Sequence, residues 1–79
     1  MKYKIGDKIK FLKDWNAHER YGFFKDDLGE IIHENQDVFT VKNIKNKYNI
    51  YFYKDITSTF NFNNINSWIK LTGNKKKIG

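Results

Sequence analysis

Residues 25–42 read KDDLGEIIHENQDVFTVK, and this stretch decides the fold. Two runs in which apolar and polar residues alternate, Gly29–Glu34 and Val38–Asn43, flank a polar segment, Glu34–Asp37. Alternation with a period of two, broken by turn-forming residues, predicts two strands joined as a hairpin. In the first strand Ile31 shares a face with Gly29 and His33. In the second, Phe39 and Val41 point inward while Thr40 and Lys42 point outward. A glycine inside a strand costs about 0.5–1 kcal/mol relative to alanine. Gly29 is therefore expected where the strand bends sharply and a Cβ would clash.

The same period recurs outside the hairpin. KIKFLK (8–13) sets Ile9 and Phe11 against Lys8, Lys10 and Leu12, and NIYFYK (49–54) sets Ile50 and Phe52 against Tyr51 and Tyr53. SWIKL (67–71) sets Ile69 and Leu71 against Trp68 and Lys70. Turn chemistry falls between the runs, at Gly6-Asp7, Lys25-Asp26-Asp27 and Asn43–Asn49. Helical periodicity is poor throughout. The expectation is an all-β domain of five short strands, six if TFNF (59–62) also pairs. The six side chains Ile9, Phe11, Phe39, Val41, Ile50 and Phe52 are expected inside.

Seventy-nine residues form one domain, which buries only about 60% of its unfolded surface. The chain has no cysteine to staple it and no proline, but it carries seven Phe, five Tyr and two Trp. Each large ring buries roughly 150–250 Å², which lets a small core hold together. Residues 1–73 are assigned to the domain and 74–79 to a basic, frayed tail. No run approaches the ~18 apolar residues of a membrane span, and MKYKIGDKIKF lacks the apolar stretch of a signal peptide. A cytoplasmic protein is expected.

The net charge of +6 is unevenly spread. Residues 1–34 carry seven basic and seven acidic side chains, whereas residues 35–79 carry eight lysines against Asp37 and Asp55. Three of those eight, Lys75, Lys76 and Lys77, lie in the tail. With one Arg beside fourteen Lys, sequence-specific base reading is disfavoured, because it leans on Arg.

A long first connection, short hairpin turns, a 3₁₀ turn and a closing strand make up the chain plan. On IGDKIKF (5–11), KDDLGEI (25–31), VFTVK (38–42) and SWIKL (67–71), the chain resembles small bacterial and phage SH3-like barrel proteins, including the KOW-type branch. The resemblance spans about residues 3–71 and implies a single SH3-like barrel with a 3₁₀ turn before the last strand. Peptide-binding eukaryotic SH3 domains carry an ALYDY-like run, a strand-three Trp and a proline in that turn. None of these is present, so Pro-rich ligands are not expected. One fold hosts many functions, so the resemblance speaks to architecture more than to activity.

Catalysis is not expected. His18-Glu19 and His33-Glu34 are the only His/acid neighbours, and adjacent strand residues point to opposite faces. There is no Cys nucleophile and no Gly-x-Ser-x-Gly turn. A metal site from His18 and His33 would need Glu19 or Asp37 to converge on them, and the spacing gives no sign of it. No cofactor, metal, small-molecule substrate or membrane is expected. Two binding surfaces remain. Trp15, Tyr21, Phe23 and Phe24 crowd the first connection; the two Phe are expected to plug the core, while Trp15 and Tyr21 suit an interface. Tyr51 and Tyr53, with Lys42, Lys45, Lys47 and the tail lysines, match a stacking platform for RNA or single-stranded DNA. The alternative for that face is cross-strand packing against Thr40 and the stems of Lys42 and Lys54.

Two function classes follow. The first is a phage or mobile-element accessory protein that docks on and modulates a host or defence protein complex, an anti-CRISPR-like inhibitor being one form. The second is a nucleic-acid-binding barrel using the Lys/Tyr face. A DNA mimic is disfavoured by the positive charge.

Overall fold

The computed structural model describes residues 3–72, so the tail assigned to 74–79, with Lys75, Lys76 and Lys77, lies outside the described residues. Five strands form one antiparallel sheet: β1 (Lys8–Phe11), β2 (Leu28–Glu34), β3 (Val38–Asn43), β4 (Asn49–Tyr53) and β5 (Ile69–Leu71). One helical turn, α1 (Ile65–Trp68), precedes β5. The strand order is β4-β3-β2-β1-β5. The fold is all-β. No described helix is long and apolar enough to cross a membrane.

Turns form where backbone and side chain cooperate. Gly6, at φ +94°, opens the turn into β1, and Asp7 closes it by accepting the Lys4 N–H at 2.9 Å. Between β2 and β3, Asn35 Oδ1 accepts the N–H groups of Asp37 and Val38. In the β3–β4 connection Asn43 Oδ1 and Asn46 Oδ1 accept the N–H groups of Lys45 and Tyr48, and Lys47 adopts φ +68°. These are Asx-type turns, which explains why Asn is favoured there.

The expected alternation holds for all six core positions: Ile9, Phe11, Phe39, Val41, Ile50 and Phe52 are buried. No ladder joins the end strands β4 and β5 among the described residues. Aromatic side chains cover the core instead. Phe23 stacks on Phe11 at 4.0 Å and meets Trp68 edge-on at 5.8 Å, while Phe60 touches Phe52, Trp15 and Trp68. Such pairs contribute about 0.5–1.5 kcal/mol each beyond area burial. Tyr3 is buried under Phe39, and its hydroxyl donates to Asn66 Oδ1 at 2.8 Å, tying the start of the described chain to α1.

Several expectations are corrected. Thr40 lies on the outer face as expected, in register between His33 and Tyr51, but it is only 5% exposed. His33 leaves the face of Ile31, since a bulge between the two shifts the register, and it is exposed. Phe24, expected inside, is 43% exposed. A turn with Asp26 at φ +75° follows it, and Phe23 alone turns into the core. Trp68 belongs to α1 rather than to the last strand, which places its ring against Phe23 and Phe60. The turn before β5 is α-helical: the Ile69 N–H reaches the Ile65 carbonyl. The segment 59–62 is no sixth strand; it meets β4 through a single parallel bridge, Tyr53 with Asn61.

Asn61 itself was unremarkable in an Asn-rich run, yet it organises the whole 56–64 connection. Its Nδ2 donates to the carbonyls of Ile56 and Ser58, and its Oδ1 accepts the N–H groups of Asn63 and Asn64. All of its amide capacity is used locally, which lets it be buried at low cost.

Candidate binding face

The register defines an outer face opposite the core. One row across the sheet reads Lys8, Glu30, Lys42, Asn49, and a second reads Lys70, Lys10, Leu28. In the other direction Thr40 faces Tyr51 and Val38 faces Tyr53. Glu30 is the lone carboxylate in the two lysine rows. It lies 3.8 Å from Lys8 Nζ in a solvent-exposed pair, a geometry that contributes little.

Tyr51 and Tyr53 are 45% and 44% exposed, with ring centroids 6.3 Å apart and planes 25° from parallel. The Tyr53 N–H donates to the Phe60 carbonyl, and its own carbonyl accepts the Phe62 N–H. Tyr53 thus turns both backbone groups away from β3. Antiparallel ladders alternate, so Tyr51 and Asn49 also turn theirs to the free edge, and their pairs with Thr40 and Lys42 are the close, non-bonded kind. The tyrosines are therefore carried on a strand paired with β3, with Tyr53 tied on its other edge to Phe60 and Phe62. Beside them runs a groove of about 170 Å³ lined by Tyr48, Asn49, Ile50, Tyr51, Tyr53 and Phe60. Asn49 Oδ1 is buried there with no hydrogen-bond partner.

The long first connection folds back on itself. Trp15 and Phe23 exchange backbone hydrogen bonds of 2.9 and 3.1 Å. Trp15 is half-buried, packed on Phe23 and Phe60 and 6.4 Å from Tyr48. Tyr21 is 40% exposed and stacks on His18 at 4.6 Å. His18 Nδ1 accepts the Arg20 N–H, and His33 Nε2 lies 3.2 Å from Asn35 Nδ2. Among the described residues no three His, Cys, Asp or Glu side chains converge as metal ligands would.

The lysines assigned to the tyrosine face separate. Lys42 is register-adjacent to Asn49 and diagonal to Tyr51. Lys45 is drawn the other way, with Nζ 3.3 Å from Asp27 Oδ1 and 5.0 Å from the Phe24 ring centroid. Lys47 sits exposed in the β3–β4 turn. Lys8, Lys10 and Lys70 join the outer face instead. Along the chain the first two are balanced by the acids of residues 1–34, but most of those acids lie outside the strands, whereas alternation aligns Lys8 with Lys10 on one face.

Asn43, expected at the junction of the second hairpin strand with the following turn, is fully buried and connects the first connection to β3. Its Nδ2 donates to the Gly22 carbonyl and to Asp27 Oδ2, each at 3.1 Å. Burial alone raises the Asp27 pKa, but hydrogen bonds from the Phe24 N–H, Asn43 and Lys45, with the Lys45 charge, outweigh it and hold it below the usual value. A depressed folded pKa means that Asp27 stabilises the fold fully above its unfolded pKa of about 4, and that this contribution is lost as pH falls through the lower folded value. Asp27→Asn is expected to flatten the acid limb of a stability-versus-pH curve measured below about pH 5. Parallel limbs for wild type and variant would show that Asp27 titrates normally.

No protein-family model, curated protein or solved structure matches the chain, so the face is read from its own geometry.

Proposed function

We propose that this chain is a non-enzymatic binding domain of SH3-like architecture that holds single-stranded nucleic acid on the outer face of β3 and β4. The exposed, near-parallel Tyr51–Tyr53 pair on a ladder-held strand carries the reading. Aromatic rings fixed in this way stack bases whatever their sequence, each worth about 1–3 kcal/mol. Lys42 stands diagonal to Tyr51, suited to a phosphate, and has no ion-pair partner among the described residues. Strands fit this face better than duplex, because stacking on a ring needs an unpaired base.

The test is fluorescence anisotropy with oligothymidylate and oligouridylate at about 50 mM salt, where a few phosphate contacts are readily detected. Tyr51→Ala and Tyr53→Ala are each expected to weaken binding about 5- to 150-fold with little change in salt dependence. Lys42→Gln is expected to lower the slope of log K against log salt by about 0.7. Absence of binding, or tyrosine variants that bind like wild type, would overturn the reading.

Exposed Tyr21, 6.3 Å from groove-lining Tyr48, supports a second reading. There the domain docks on a host or defence protein complex as a mobile-element accessory. Loss of a captured protein on Tyr21→Ala, but not on Tyr51→Ala, would favour it.

A further inference from the structure

We propose that the nucleic-acid track does not end at β3 but crosses the sheet to β1 and β5, where Lys10 and Lys70 hold backbone phosphates. The inference rests on the single-strand reading above and extends it to a second, distant set of contacts. Lys10 and Lys70 are direct cross-strand partners in the β1–β5 register. Like charges placed directly opposite destabilise a strand pair. Neither lysine has an ion-pair partner among the described residues, because Glu30, the nearest acid by register, already faces Lys8. On the far side of Lys10 in the same row stands Leu28, which is apolar.

The repulsion is a feature that a bound anion relieves. The phosphates spaced along a single strand are such an anion, and the bases of the same strand suit the tyrosine pair. Among the described residues of the neighbouring row Glu30 is paired with Lys8, which leaves Lys42 as the unpaired positive charge between the two ends of the track. Crossing from β4 to β5 covers four strand spacings, about 19 Å. A short oligonucleotide seated on the tyrosines cannot reach Lys10 and Lys70, whereas a longer one can.

The experiment compares thymidylate oligomers of about 3 and about 12 nucleotides on wild type, Lys10→Gln/Lys70→Gln and Lys70→Glu. The double variant is expected to lose affinity for the longer oligomer, with its salt slope lowered by about 1.4, while affinity for the shorter one stays unchanged. Lys70→Glu is expected to raise the melting temperature, because it sets opposite charges across the strand pair, while weakening the longer oligomer further. A more stable protein that binds less well is an outcome that a purely structural role cannot give.

If wild type binds both oligomers and the double variant binds the longer one equally well, the track ends at β3 and only the tyrosine platform stands. Equal losses for both lengths would mean that the lysines act as general charge, which also refutes the track. If wild type binds neither, the single-strand reading itself fails and takes the track with it.

Discussion

Gly22→Ala is expected to destabilise the domain by about 3 kcal/mol or more, a loss of at least about 12 °C in Tm for a chain of this size. Gly22 adopts φ +74°, and a Cβ built there would lie 2.2 Å from the Asn16 carbonyl oxygen and 2.5 Å from that of Trp15. Both obstacles are backbone, so no rotamer change relieves them. The chain would have to open the Trp15–Phe23 bridge that closes the first connection. The Gly22 carbonyl also accepts from Asn43 and Asn46, so any shift reaches the β3–β4 turn. Gly6→Ala is the control. Gly6 has a positive φ of +94° but nothing within 4 Å of the added methyl. It isolates the cost of backbone conformation, about 1 kcal/mol. Equal losses at the two positions in thermal unfolding would show that the close approach at Gly22 is absent.

Gly29→Val is expected to cost about 1–3 kcal/mol through overpacking, overcoming the strand preference of valine. The first atom of the new side chain would meet Ile9 Cδ1 at 3.0 Å, the Lys42 carbonyl oxygen at 3.0 Å and Phe11 Cε2 at 3.1 Å. The two side chains can yield by tenths of an ångström, but Lys42 belongs to the ladder beside it. Valine then adds two methyl groups to a contact that is already tight. A variant that melts at or above the wild-type temperature would mean that the core has room at this point. Gly29 is needed for space rather than for an unusual φ: β1 and β3 both approach β2 there, Ile9 opposite Gly29 on one side and Asn43 on the other.

The single-strand reading drew its residues partly from sequence and partly from the fold. Tyr51 and Tyr53 were legible because residues two apart on a strand share a face, whatever the fold does with that strand. Lys45 is near them along the chain, but the structure pairs it with Asp27, just ahead of β2. Trp15 suits an interface by its chemistry, and its half-buried ring also packs on Phe23 and Phe60.

Period-two alternation determined from sequence alone that the chain is all-β and that Ile9, Phe11, Phe39, Val41, Ile50 and Phe52 lie inside, and the cost of a glycine within a strand marked Gly29 as a place where a side chain does not fit; Tyr3, Phe60 and Ile65, equally part of the core, lie outside the alternating runs. These are local properties, since the pleat dictates facing residue by residue. Tertiary structure decided what depends on register and on partners remote in the chain. A bulge turned His33 outward, and Asn43 became a buried tie between the first connection and β3. The pairing of β1 with β5 brought Lys10 and Lys70 side by side from opposite ends of the domain. Charge counted along the chain could not show that row, because sheet neighbours are set by hydrogen-bonded pairing and not by distance in sequence.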